Sequence, residues 1–211
     1  MKKVFYIVLI ILAVTCGTYY YFKIKNSKLK QVPSGAVGLE FPLKDGSFRA
    51  IQSGPNGSIH TSPVEKYALD IVKTGKISDL FKFRQSGLES NSTFGTPVYS
   101  PCAGDVKIAI DGFPDMPIGV RGQANEANHV TVDCGQFNVA LVHFKKGSVL
   151  VKVGDIVKVG QQIALTGNSG ASDGPHLHLM AYRNGPNPDD DKTPLPMIFN
   201  GKYLFRGDIY P

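Results

Sequence analysis

Apolar and polar positions alternate in short runs through most of this chain, and the breaks between runs are rich in Gly, Asp, Asn and Pro. Val, Ile, Leu and Tyr in such runs predict strands rather than helices. Strands are expected at Thr96–Ser100, Asp105–Ile110, His129–Asp133, Phe137–His143, Gln162–Thr166 and His176–Tyr182. Only Ile77–Gln85 reads as a helical turn or two, inside a polar insertion spanning 71–94. Asp111–Asn128, with Pro114, Pro117 and three glycines, reads as an irregular loop. Loops of that length in a compact domain wall a site or cover it. The pattern therefore predicts an all-β fold, an antiparallel β-sheet with long loops walling a groove.

One run breaks the pattern. Val4 to Phe22 is 19 uncharged residues ending in Tyr19, Tyr20, Tyr21 and Phe22. As a helix it would be about 28 Å long, close to the hydrocarbon thickness of a bilayer, and its terminal aromatics suit the interface. Ala13-Val14-Thr15 is a poor signal-peptidase site, and Thr15 before Cys16 is larger than the residue that precedes a lipidated cysteine. An uncleaved transmembrane anchor is expected, with a cleaved signal and a lipoprotein as the alternatives. Four lysines follow the span and two precede it, which on the positive-inside rule alone favours the reverse of export. The long segment is nonetheless expected outside the cytoplasm because of the cysteines and the site below. The organisation expected is 1–30 anchor or signal segment, 31–40 linker, and 41–211 a folded domain.

The formal net charge of +6 suggests nucleic-acid binding until it is located. Six of the 23 basic residues and none of the 17 acidic ones lie in residues 1–30, so 31–211 is formally neutral and a polyanion-binding surface loses its support. At 211 residues, 42% hydrophobic and 19% charged, the chain is neither disordered nor disulfide-dense. Cys102 and Cys134 lie beside predicted strands; in an exported protein they form a disulfide or remain two buried thiols. Asp189–Asp191 reads as a solvated acidic run in a Pro-rich loop.

Five histidines carry the candidate chemistry: His60, His129, His143, His176 and His178. His176-Leu177-His178 follows Gly174-Pro175 and continues into apolar residues, so a strand is expected, with both imidazoles on one face. Two such rings bind one metal, or one binds while its neighbour handles protons, or both are plain surface residues. Further donors are needed. Asp70 is a carboxylate inside the apolar run Tyr67-Ala68-Leu69-Asp70-Ile71, where burial requires a partner or a metal. His60 follows a turn-rich stretch, and His143 closes the run Asn138-Val139-Ala140-Leu141-Val142.

These residues, taken in order, resemble the lysostaphin-like zinc endopeptidases that cut peptidoglycan cross-bridges. The resemblance runs over about 50–182. It is carried by Asn56-Gly57-Ser58-Ile59-His60 with Tyr67-Ala68-Leu69-Asp70; by Phe94-Gly95-Thr96-Pro97-Val98-Tyr99 with Gly104-Asp105-Val106; and by Leu141-Val142-His143. Val153-Gly154-Asp155-Ile156-Val157 with Gly160-Gln161, and Gly167-Asn168-Ser169-Gly170 leading to His176-Leu177-His178, complete it. It implies that His60, Asp70 and His178 hold Zn2+ with a fourth position open to water, and that His143 and His176 handle protons and stabilise the transition state. The family's first motif commonly has His and Asp four apart, whereas ten separate His60 and Asp70 here. The implied activity is hydrolysis of amide bonds in peptidoglycan stem or cross-bridge peptides, with a water on the zinc as nucleophile. His129 is left as a structural histidine.

Two His and one carboxylate with an open position is a catalytic zinc arrangement rather than a closed structural one. The competing reading within the same fold is a non-catalytic wall-binding or hydrolase-activating protein, which would have lost ligands that this chain keeps. A carrier domain is also weighed, because Val151–Ile163 resembles the turn of lipoyl and biotinyl domains, but no lysine stands where a modified one would be presented.

Overall fold

The computed structural model describes Gly17 and residues 32–54, 60, 62–75, 87–185 and 191–211. The chain divides between Pro33 and Ser34 into two units, and the account below concerns the second, Ser34–Pro211. The apolar run at 4–22, apart from Gly17, and the helical turn expected at 77–85 lie outside the described residues. Among the described residues no helix is long and apolar enough to cross a membrane.

The second unit is built on strands, as its alternation predicts. In chain order they are β1 (Val37–Leu39), β2 (Phe48–Ser53), β3 (Leu69–Lys73), β4 (Pro97–Tyr99), β5 (Gly104–Ile110), β6 (His129–Asp133) and β7 (Asn138–Val142). There follow β8 (Ile156–Val157), β9 (Gln162–Leu165), β10 (Leu177–Asn184), β11 (Lys192–Leu195), β12 (Met197–Phe199), β13 (Lys202–Tyr203) and β14 (Ile209–Tyr210). The main sheet runs β14-β2-β3-β10-β7-β6-β5-β8, and its pairings are antiparallel. One edge of β10 pairs with β7; the other is shared by β3 near its start and β11 near its end. Both outer strands, β14 and β8, are only two residues long, which leaves little edge for another chain to pair with.

The expected strands are found within one or two residues of their predicted ends. Two expectations change. Val37–Leu39, inside the stretch expected as linker, pairs in parallel with β12 and sends Leu39 into the core, 6% exposed. The polar insertion expected from 71 begins later, because Ile71 to Lys73 belong to β3.

Alternation puts one face of the sheet into the core and leaves the other for chemistry. Leu69 and Ile71 of β3, Val130 and Val132 of β6, Val139 and Leu141 of β7, and Leu177, Leu179 and Ala181 of β10 are buried on the inner face. The paired strands β4 and β9 add Val98, Ile163 and Ala164, and the small sheet β1-β12-β13 adds Leu39, Met197 and Phe199. Cys102 and Cys134 are bonded, with Cα atoms 5.9 Å apart. The bond closes the base of the β5–β6 hairpin, whose long connection forms one wall of the site described next.

Candidate active site

Strand register sets the site out as a row. Ile110 pairs with His129, His129 with Val142, Val142 with His178, His178 with Asp70, and Asp70 with Gln52. Residues directly opposed on neighbouring strands present their side chains on one face, so all six stand on the outer face of the sheet. This explains why a carboxylate occurs in an apolar run: Leu69 and Ile71 point into the core and Asp70 points the other way.

Three imidazoles converge on that carboxylate. His178 Nδ1 lies 2.8 Å from Asp70 Oδ1, and His60 Nε2 lies 3.1 Å from Asp70 Oδ2. His176, two residues before His178 and therefore on the same face, brings Nε2 to 3.7 Å from Asp70 Oδ1. Its Nδ1 donates to the Gly174 carbonyl at 2.8 Å.

His143 reaches the site by a different route. Val142 already faces outward, so simple alternation would send the next side chain into the core. Instead His143 adopts φ 67°, a left-handed backbone rarely used by non-glycine residues, and its ring turns back to the outer face beside His176, with ring centroids 4.7 Å apart. Its Nδ1 donates to the Ser169 carbonyl at 2.7 Å. Such strain at a site persists only where surrounding contacts hold it. Here the His143 carbonyl accepts from the Gly167 amide and the next amide, Phe144, donates to the Asn128 carbonyl.

Electrostatics separate the roles. Burial alone would raise the Asp70 carboxyl, but hydrogen bonds from His178 and His60 and the nearby imidazoles hold it well below the usual carboxylate range. Burial also disfavours charge on His60, yet the Asp70 hydrogen bond and the charges of Asp70 and Glu65 win, so its proton is favoured. His143 is pushed well down by burial and then by His176 and His178. His176 is lowered by burial despite the opposing pull of Asp70. Two rings with fixed Nδ1–H donors and depressed basicity present neutral Nε2 atoms, the form that can accept a proton.

Among the described residues, two overlapping donor sets can hold a cation, each with its ligand atoms within 4.8 Å of one another: His60, Asp70 and His178, and His143, His176 and His178. The first matches the set implied by the sequence. Its two imidazole nitrogens and one anionic oxygen are chemistry suited to zinc, and the buried carboxylate facing them fits a cation. The ten-residue spacing is accommodated because Asp70 is fixed on β3 while His60 itself belongs to no regular element.

The site lies in an open groove of about 810 Å³. One wall is the connection 111–128, and it is strapped down. Asp111 accepts from the Gly147 and Val149 amides at 2.8 and 3.1 Å, and Asp115 accepts from Lys146 and Asn168 at 3.0 and 2.7 Å. The Asn128 side chain bonds Phe113 on both its backbone groups and the Phe144 carbonyl. Gly170, at φ 72°, lets the opposite loop close on the wall, since a Cβ there would meet Ala127 Cβ at 2.6 Å. The wall is preorganised.

All five residues expected from the sequence as ligands or proton carriers are therefore brought together. Two groove residues were missed. Glu65 places Oε1 3.8 Å from His178 Nε2; nothing in its local sequence sets it apart. His129, expected to be merely structural, lines the groove from the same row as His178.

A family model described as peptidase family M23 matches residues 84–190. That span contains His143, His176 and His178 but not His60 or Asp70. An uncharacterized metalloprotease of Haemophilus influenzae is 36% identical over 47% of this chain and 18% of its own length. Peptidoglycan DD-endopeptidase ShyB of Vibrio cholerae is 32% identical over 72% of this chain and 30% of its own length. The chain thus spans less than a third of either relative. Among solved structures, the antimicrobial peptidase lysostaphin from Staphylococcus simulans aligns with a TM-score of 0.43 at 22% identity, over 72% of this chain and 47% of that one.

Proposed function

The chain belongs to peptidase family M23, and from that premise we propose that it is a zinc-dependent endopeptidase that hydrolyses amide bonds in peptidoglycan stem or cross-bridge peptides. The observation that carries this is the buried Asp70 carboxylate flanked by His60 and His178, with two further imidazoles beside it. His60, Asp70 and His178 would hold the metal. Bound zinc supplies Lewis acidity, which polarises a carbonyl and acidifies water at neutral pH.

The chain's own residues do the rest. His143 and His176, held through Nδ1, offer Nε2 to take the proton of the attacking water and deliver it to the leaving amine as the C–N bond breaks and a C–O bond forms. Glu65 stands against the outer nitrogen of His178 and favours the orientation in which Nδ1 turns toward Asp70. The groove is open, which suits a polymer segment rather than a small molecule. A relative that bears on the substrate is ShyB, an endopeptidase of peptidoglycan by name. A domain outside the cytoplasm, tethered through residues 4–22, agrees with the Cys102–Cys134 bond, since disulfides persist in oxidising compartments.

The test is digestion of purified cell walls by the zinc-loaded protein, with released fragments weighed by mass spectrometry. Wild type should carry about one zinc per chain and release peptide fragments. His178→Ala should lose the metal; His143→Ala should keep it and lose turnover. Binding to walls without any released fragment would replace the hydrolase with a wall-recognition protein.

A further inference from the structure

The row that builds the site continues past it. His129 stands opposite Val142, and Val142 opposite His178. His129 is therefore on the same face two strands away, about 9.6 Å at ~4.8 Å per strand. It belongs to neither donor set, yet its ring is held in the manner of the two proton-carrying candidates. Nδ1 lies 2.8 Å from the Ala127 carbonyl, as those of His143 and His176 lie 2.7 and 2.8 Å from the carbonyls of Ser169 and Gly174. With Nδ1 as the donor, the neutral ring has its acceptor lone pair at Nε2. The sheet face between His129 and the metal-capable cluster carries Val142 and Ala140, and the wall beside it carries Ala124 and Ala127. Short apolar side chains of this kind let a peptide backbone approach the floor closely.

We propose that His129 is a substrate-positioning residue whose Nε2 accepts a hydrogen bond from a backbone N–H of the substrate about three residues from the bond that is cut. The offset follows from the distance across two strands divided by the rise of an extended chain, ~3.4 Å per residue. The site thereby selects a secondary amide at that place, and an N-substituted residue there is a poor substrate. This inference rests on the peptidase reading of the groove and deepens it.

The experiment uses the zinc-loaded full chain and synthetic copies of a peptide that wild type cleaves. Backbone amides from the second to the fourth residue on each side of the cut are N-methylated one at a time. Wild type should lose about tenfold in kcat/KM for one amide near the third position. His129→Ala should lose about tenfold on the unmodified peptide and no more when that amide is methylated, while keeping its zinc. His129→Gln, which retains an acceptor oxygen, should recover part of the rate and part of the sensitivity to methylation. Unchanged kcat/KM in His129→Ala, or methylation and substitution effects that simply add, would overturn the assignment while leaving the peptidase intact. A wild-type protein that binds zinc and cleaves no wall peptide would remove the peptidase reading, and this inference with it.

Discussion

Asn128→Ala should open the clasp that holds the groove wall without touching any candidate ligand. Asn128 is fully buried, 0% exposed, at the junction of the wall with β6. Its Oδ1 accepts from the Phe113 amide at 2.9 Å, and its Nδ2 donates to the carbonyls of Phe113 at 2.9 Å and Phe144 at 3.1 Å. Each such bond contributes about 0.5–1.5 kcal/mol net, so the three together are worth about 3 kcal/mol. Alanine also orphans the two backbone groups of Phe113. The backbone bonds of residue 128, to the Ser169 hydroxyl and from the Phe144 amide, do not depend on its side chain. The register of β6 should therefore survive.

A loss of about 3 kcal/mol is a large fraction of the 5–15 kcal/mol that stabilises an ordinary domain. Urea unfolding followed by far-UV circular dichroism should show a lower midpoint with an unchanged slope. Zinc content should stay near one per chain, because Asp70, His60 and His178 are untouched. The displaced wall should raise KM more than it lowers kcat. A stability within about 0.5 kcal/mol of wild type would refute the assignment of the clasp. Loss of zinc with KM unchanged would show that the wall supports the ligands rather than the substrate.

Reducing the Cys102–Cys134 bond releases a loop with a sequence separation of 32 residues. Chain entropy puts the cost at about 3.7 kcal/mol, read as a drop in urea midpoint in dithiothreitol; an unchanged midpoint would refute the chain-entropy account of this bond. The depressed basicity of His143 and His176 predicts that the acid limb of kcat/KM has its midpoint below pH 6.5, and a limb centred above pH 7 would refute their role as neutral acceptors. The same shifts act on stability. As pH falls through 6.5 the unfolded imidazoles take up protons that the folded ones refuse, so the metal-free protein should weaken on acidification. His60, raised, works in the opposite sense and offsets part of the loss, while the lowered Asp70 adds its share only as pH falls through the carboxylate range. Leu179→Ala, at a site 0% exposed on the inner face of β10, should cost about 2–5 kcal/mol in urea unfolding and leave zinc stoichiometry intact.

The strands that could be read from the sequence are those whose inner faces are continuous, such as β6 with Val130 and Val132, or β10 with Leu177, Leu179 and Ala181. Those that escaped notice had weaker patterns for physical reasons. β8, β13 and β14 have two residues each, too few to alternate. β3 carries Asp70 on its outer face and a lysine at its end, so it resembles the start of a polar insertion. β1 and β12 pair in parallel across nearly the whole chain, a contact that no local pattern announces.

The site was legible to the extent that donors can be recognised by type, and illegible where their use depends on register. Residue counting leaves His129 as the spare histidine because the metal needs two histidines beside Asp70 and the proton steps one or two. Register gives it another position, since only the pairing of β6 with β7 and of β7 with β10 puts His129 in line with His178 and Asp70. His143 shows the converse. Its place in the run Asn138-Val139-Ala140-Leu141-Val142-His143 would bury it on the inner face, and a left-handed φ that the alternation of the run does not announce returns it to the groove. The interval between His60 and Asp70, which looked like a departure, carries little weight by comparison. One donor is on a loop, and lengthening a loop costs only about 0.6 kcal/mol per doubling. A slip of one residue in the pairing of β3 with β10 would instead turn Asp70 into the core and destroy the cluster. The spacing of donors along the chain is therefore the loose constraint on this site, and the registry of three central strands is the strict one.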